Sequence, residues 1–318
     1  MENLPLDPTL YKTLLEFAPC FTAPSFKNFV VVISGWIQCV SRRTITGMIE
    51  AAGVVGEVHH ERFHRWFSRA VWEADKLGTM VFVRLVSELI PADGVIVLAG
   101  DDTLAKKTGR KIYGTGYWRD GVLSTPKRVV TRWGLNFVTL GVVVRCPLWP
   151  MRDIYFPFLV RLHRKENTFA TAEEYQTSPQ LLIEMVKVVA GWLPERRFSL
   201  AVDGGYANDV VFEGLPANVT QFSRTRADAS LYQLKPPPSG KRGRPRTKGD
   251  PTPKPRERVT DSQTEWTSLT VVMYGQEVVV EVVTWVGLWY KVAKDHPLRF
   301  VLVRDPKNHK RWACFFTT

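Results

Sequence analysis

VIVLAGDDTLAKKTGRKIYG, residues 95–114, passes from an apolar run into paired aspartates and then into a glycine-rich basic stretch. A short continuous apolar run suits a strand covered on both faces, as at the centre of a sheet. The spacing predicts a strand over 95–100 with Asp101 and Asp102 at its end. FSLAVD (198–203) repeats the pattern, an apolar run closed by Asp203 and stopped by Gly204-Gly205. Between them lie two β-rich segments, 128–146 and 154–162. A helix is expected over 171–192, with Thr171 as cap, Glu173 and Glu174 in the first turn, and Leu181, Leu182, Met185, Val188 and Val189 as its apolar stripe. The order is β, β, β, α, β, with an acid closing the first and fourth strands.

Outward from this centre the texture changes. Residues 1–90 carry helical periodicity in segments 25–40, 43–52, 59–74 and 76–90. Thr44 is placed to cap a helix through Ile45, Met48 and Ile49. In 59–78, Phe63, Trp66, Phe67, Ala70 and Val71 form an apolar face, with Arg62, Arg65 and Arg69 largely opposite. Such a face is either a solvated side of a core helix or part of a helical DNA-binding module. On the other side, residues 235–258 combine prolines, glycines and like charges, which predicts a flexible exposed loop. Strands resume at 268–286 with a turn at Tyr274-Gly275-Gln276, then at 299–305 and 312–318 around Pro306-Lys307-Asn308. The expected class is therefore α/β of the mixed α+β kind, a helical amino-terminal domain followed by a mixed sheet with a β-rich insertion.

Charge narrows the partner. Forty-three Lys and Arg against 31 Asp and Glu give a formal +12, which favours a polyanion, nucleic acid ahead of an anionic membrane surface. The four cysteines match no metal spacing, and at this length a disulfide framework is not expected. The first residues lack a signal-peptide pattern, and the apolar run 29–37 is short for a membrane span. The expectation is a cytoplasmic protein with no membrane partner.

Aspartates at the ends of adjacent strands have two readings. They form turns and caps in many proteins. Held together at one sheet edge, they repel unless a cation lies between them, and Mg²⁺ or Mn²⁺ takes oxygen ligands of this kind. The six histidines show neither zinc nor triad spacing and are expected at the surface or as satisfied core residues; His60 and His64 share a helix face.

The segment 95–114, followed by WGLNFVTLGVVV (133–144) and LAVDGGY (200–206), resembles insertion-sequence transposases of the DDE endonuclease superfamily. The stretch RRTITGMIEAAG…HHERFHRWFSRAVW looks like the helical region before the core in one branch of that family. The resemblance covers roughly residues 20–318. It implies a ribonuclease-H-like catalytic core, Mg²⁺-dependent DNA strand transfer, and a dimer acting on paired terminal inverted repeats and target DNA. The first acid maps to Asp101-Asp102-Thr103. Asp101 is preferred because the family pattern is Asp, an acid or small residue, then Thr or Ser, and Asp102 on the opposite face is the alternative metal ligand. The second acid maps to Asp203. The third, a Glu on a helix after a strand like RWACFFTT (311–318), has no counterpart before Thr318, so the core is expected to be carboxy-terminally truncated. Glu277, Glu281, Asp295 and Asp305 lie in hairpins or turns and are poor substitutes.

The resemblance divides the chain into a helical DNA-binding region (1–90), the first part of the core (91–234), the basic loop (235–258), and a β-rich insertion with a returning core strand (259–318). Candidate DNA contacts are Lys106, Lys107, Arg110 and Lys111 after the first acid, alternatively a solvated charge run. Tyr113, Tyr117 and Trp118 are placed to stack on a base or to pack on the sheet. Lys241, Arg242, Arg244 and Arg246 form an Arg-Gly-Arg-Pro segment similar to a minor-groove hook. The functional expectation is a transposase that binds transposon ends and hydrolyses and rejoins phosphodiester bonds. The alternative is a DNA-binding relic or repressor without catalysis.

Overall fold

The computed structural model describes residues 7–125, 127–150, 152–237 and 246–318. The chain divides into two compact units, Met1–Val81 and Phe82–Thr318.

The first unit is helical: α1 (Pro8–Leu15), α2 (Ala23–Gln38), α3 (Ile45–Ala51), α4 (Glu61–Arg69) and the start of α5 (Ala74–Leu89). The expected segments omit α1, whose signal is Asp7-Pro8: the Asp7 carboxylate accepts from the Thr9 and Leu10 amides at 2.9 and 3.0 Å, and Pro8 needs no donor at the first position. Thr44 caps α3 as expected, accepting from the Gly47 amide at 3.1 Å. Phe29, Val31, Met48, Ile49, Phe63 and Trp66 are buried together, and Phe21 stacks on Phe29 at 4.7 Å. Burial of each such side chain contributes roughly 1.5–3 kcal/mol. Arg62, Arg65 and Arg69 lie on the exposed side of α4, with Arg65 paired to Glu61 at 2.7 Å. The run 29–37 is part of α2, and among the described residues no helix is long and apolar enough to cross a membrane.

The second unit is built on one ten-stranded mixed sheet. Its first half contains β1 (Ile96–Lys106), β2 (Gly116–Arg119), β3 (Thr131–Arg145), β4 (Asp153–His163), α6 (Ser178–Trp192), β5 (Phe198–Val202), α7 (Asp209–Gly214) and β6 (Val219–Thr225). β1 runs antiparallel to β3, and β3 antiparallel to β4; β5 joins the other edge of β1 in parallel, and β6 follows parallel to β5. Parallel neighbours need a crossover, which α6 provides ahead of β5 and α7 ahead of β6. This is the ribonuclease-H-like arrangement expected from the resemblance.

Two boundaries differ from expectation. β1 does not stop at Gly100: its polar half continues to Lys106 because β3 pairs with it as far as Lys106↔Gly134. Asp101 and Asp102 thus lie inside β1, one and two residues beyond the end of its pairing with β5. α6 begins at Ser178 rather than near Thr171, since Pro179 lacks a donor and is tolerated only in the first turn. Thr177 caps it, with the Gln180 side chain accepting from the Thr177 amide at 2.8 Å. Residues Ala172–Glu174 form a separate single turn.

The second half contains β7 (Leu231–Tyr232), β8 (Pro251–Thr252), α8 (Pro255–Thr260), β9 (Thr267–Met273), β10 (Gln276–Gly287), α9 (Tyr290–Ala293), β11 (Leu298–Asp305) and β12 (Asn308–Thr317). β8 and α8 correct the expectation of a loop throughout 235–258. α8 forms because Pro255 occupies its first position, where proline is pre-organised, and Glu257 accepts from the Lys254 amide at 2.9 Å. β9–β10 turn at Tyr274-Gly275, both with positive φ (52° and 78°), the geometry of a tight hairpin turn. β11–β12 turn at Pro306-Lys307, and β12 pairs antiparallel with β6, so the sheet runs unbroken in the order β6-β12-β11-β10-β9. Leu298, Phe300, Leu302 and Phe316 bury its inner face with Trp289.

Candidate active site

β1 and β5 pair in register from Ile96↔Phe198 to Gly100↔Val202. The next residue on each chain is an acid, Asp101 and Asp203. Parallel neighbours lie roughly 4.8 Å apart, which sets two carboxyl groups side by side at the end of β5. Their charges act on each other: burial raises the Asp101 carboxyl above its ordinary range, and Asp203 and then Asp102 push it further, against the Asp102 amide that donates to it at 2.7 Å. Asp203 caps a single turn, Gly204–Tyr206, by accepting from the Gly205 amide at 2.8 Å. On β3, the Thr139 hydroxyl donates to the Asp101 carbonyl at 3.3 Å and accepts from the Tyr155 hydroxyl at 3.1 Å. Burial raises the Tyr155 pKa, and the Asp101 charge adds to it.

Asp102 points the other way. Successive strand residues face opposite sides, and Gly100, two residues earlier, faces Leu182 of α6: a Cβ there would collide with Leu182 Cδ1. The Asp102 carboxylate accepts from Ser178 Oγ at 3.1 Å, from Asn136 Nδ2 at 3.4 Å, and from Tyr206 Oη in a short bond. Behind them lies His163, nearly buried, with Nδ1 2.9 Å from Ser178 Oγ and 3.3 Å from Asn136 Nδ2, and Nε2 3.3 Å from Tyr175 Oη. Since the single Ser178 hydroxyl proton goes to Asp102, a neutral imidazole with its proton on Nδ1 donates to Ser178 Oγ and accepts from the Tyr175 hydroxyl at Nε2. Burial lowers the His163 pKa, which keeps it in that form. Burial, then the bond to Asp102, raise the Tyr206 pKa far above the ordinary phenol range.

The other candidate residues are spread more widely. Lys106 pairs with the buried Asp120 carboxylate at 3.1 Å, while Lys107, Arg110 and Lys111 are exposed. Tyr113 and Tyr117 are exposed, but Trp118 is buried against His163 with ring centres 4.7 Å apart and packs on the sheet. Arg246 pairs with Asp250 at 2.6 Å. Lys241, Arg242 and Arg244 lie outside the described residues. Glu281 pairs with Arg304 at 2.6 Å on β10. β10 stands five strands from β1, roughly 24 Å at ordinary strand spacing, so Glu281 does not join Asp101 and Asp203. Among the described residues no group of three or more His, Cys, Asp or Glu is arranged to hold a metal ion.

Sequence reasoning left Tyr206, Ser178, Asn136, His163, Thr139 and Tyr155 out of the site. One signal was present: Asn136 and Thr139 interrupt an otherwise apolar strand, and a buried polar side chain requires a partner.

A mixed sheet of this topology with acids on adjacent strands defines the ribonuclease-H-like class. The chain belongs to the DDE superfamily endonucleases, whose family matches residues 16–286. No curated protein matches the chain. Among solved structures it is similar to the piggyBac transposase in a synaptic complex with hairpin DNA, at 13% identity and a TM-score of 0.37. That similarity covers 93% of this chain and 52% of the other, so this chain spans about half the length of that transposase chain.

Proposed function

We propose that this chain is the core of a transposase that binds transposon-end DNA and carries out divalent-metal-dependent phosphodiester hydrolysis and strand transfer. The observation that carries the proposal is the β1–β5 register, whose last pair, Gly100↔Val202, directly precedes Asp101 and Asp203, together with the Asp203 charge acting on the Asp101 carboxyl. Two mutually repelling carboxylates on a hydrated sheet edge suit a hard cation, because Mg²⁺ commonly takes one or two carboxylates and keeps water and phosphate oxygens as its remaining ligands. Asp101 and Asp203 would hold Mg²⁺ or Mn²⁺, which stabilises the attacking and leaving oxygens of an in-line phosphoryl displacement. Thr139 steadies the Asp101 backbone, and the Asp203 cap fixes the turn that presents its carboxylate. Lys107, Arg110 and Lys111 supply exposed charge for the scissile strand's phosphates. The test is nicking of supercoiled plasmid by the full chain with Mg²⁺ and with chelator. Absence of metal-dependent nicking would favour a second reading, a DNA-binding protein without catalysis.

Asp101 gives a test independent of catalysis. Its carboxyl is raised in the folded state, so the charged form is disfavoured there relative to the unfolded chain. The favourable contribution is present at acid pH and is lost as pH rises through the raised value. At neutral pH, metal-free Asp101→Asn should therefore melt above the wild type. Millimolar Mg²⁺ should raise the wild-type melting temperature and leave the variant's unchanged. A variant that melts lower without metal would contradict the burial and repulsion that disfavour the charged carboxyl.

The basic residues make a separate prediction. Changing Lys107, Arg110 and Lys111 together to Ala should weaken duplex binding on all sequences. The slope of log K against log salt should fall by about 0.9 per lost phosphate contact, roughly 2–3 in total. An unchanged slope would return these residues to a solvated surface.

A further inference from the structure

The Asp102 carboxylate is already engaged by neutral donors from three directions. Tyr206 comes from the turn after Asp203, Ser178 from the first position of α6, and Asn136 from β3. These bonds use both of its oxygens and hold it on the sheet face opposite Asp101. Its acidity is therefore spent on holding protein groups. The informative partner is Tyr206, which lies one turn after Asp203. Its ring is buried, with 4% of its surface exposed, and its carbonyl accepts from the buried Gln221 side chain of β6 at 3.1 Å. The turn Gly204–Tyr206 is thus anchored to β6 at one end of Tyr206 and to β1 at the other. Ser223 on β6 reinforces it by donating to the Asp203 carbonyl at 2.8 Å.

We infer that Asp102 is a positioning residue for the metal pair: through its bond to the Tyr206 hydroxyl it ties the Asp203 turn to β1 and so sets the Asp203 carboxylate against Asp101. The inference rests on the proposed metal site at Asp101 and Asp203. β1 and β5 stop pairing at Gly100↔Val202, so the ladder alone does not hold Asp203 in place. The Tyr206–Asp102 bond adds a side-chain tie from this turn to β1 beyond the ladder, beside the Ser223 and Gln221 bonds that hold the turn to β6. Partners that orient ligands in this way change metal affinity by about 10–100-fold when removed. Ser178 and Asn136 touch Asp102 without touching the Asp203 turn, so they help hold its carboxylate and do not share in this coupling.

The test is calorimetric titration of the full chain with Mn²⁺ alone, beside its melting temperature. Tyr206→Phe removes a single oxygen and should weaken Mn²⁺ binding by about 10-fold with stoichiometry unchanged. Asp102→Asn should do the same, and the double variant should lose no more than either single one, because the two residues act through one bond. Ser178→Ala should leave Mn²⁺ affinity within about twofold. Asp101→Asn should lose a Mn²⁺ equivalent outright. The inference is overturned if Tyr206→Phe binds Mn²⁺ like the wild type. It is also overturned if Asp102→Asn loses an Mn²⁺ equivalent, which would make Asp102 a ligand, or if Ser178→Ala weakens binding as much as Tyr206→Phe, which would make the effect general loosening. A wild type that binds no Mn²⁺ would remove the metal site itself and the inference with it; intact wild-type binding with indifferent variants would remove the inference alone.

Discussion

Asp203→Asn is expected to lower Mg²⁺-dependent nicking by on the order of 10³-fold, about 4 kcal/mol in the barrier, with DNA binding retained. Asparagine keeps the size of the side chain and an oxygen that can accept from the Gly205 amide, so the turn and Tyr206 should stay in place. What it removes is the charge, and with it one of the two carboxylates proposed to hold the cation. Under the proposed function the effect is large because a cation held by Asp101 and Asp203 would stabilise the transition-state charge. Initial nicking rates on supercoiled plasmid measure the first half of the expectation, and gel-shift titration measures the second. Nicking within threefold of the wild type would remove Asp203 from the reaction. Loss of binding in parallel with nicking would mean that the substitution disturbs the fold or the DNA seat.

Behind the acids, the expected change is in stability. α6 approaches β1 so closely at Gly100 that a side chain there would meet fully buried Leu182. Gly100→Val should cost about 1–3 kcal/mol through overpacking. Leu182→Ala should cost about 2–5 kcal/mol through the opposite defect, a cavity. The sharper expectation concerns their combination: Gly100→Ala with Leu182→Ala should be more stable than the sum of the single effects, by an interaction of roughly 0.5–3 kcal/mol. Urea unfolding of the four proteins closes the cycle. Strict additivity would show that α6 does not press on Gly100. Since Gly100 directly precedes Asp101, the same variants should also reduce Mn²⁺ affinity if helix packing holds the first acid in place.

The central strands and their acids were legible from residue order because a run such as 95–100 has few other places in a fold. Both hairpins were legible for a local reason: Tyr274-Gly275 and Pro306-Lys307 supply turn chemistry between β-rich runs. What escaped was decided across the chain. The reach of β1 to Lys106 depends on β3 offering a partner as far as Gly134. The start of α6 turned on one proline, Pro179, against an otherwise sound helical stripe. α8 was hidden because Pro255 and its basic neighbours read as loop until their position at a helix start is known. The network around Asp102 joins residues from 102 to 206, and no spacing within a single segment records it. Adjacent aspartates in one motif look alike in sequence, and the pleat separates them.

The antiparallel pairing of β12 with β6 has a bearing on how this protein can be cut or rebuilt. A segment inserted as a self-contained module can be deleted or exchanged with little effect on its host. Here the meander is the continuation of the host's own sheet, and its removal would bare the backbone donors and acceptors of β6, the strand whose Ser223 and Gln221 steady the Asp203 turn. Shortened chains ending after Thr225 would therefore carry a sticky open border next to the acids, and domain-exchange experiments in this family are better joined outside the sheet than between its strands.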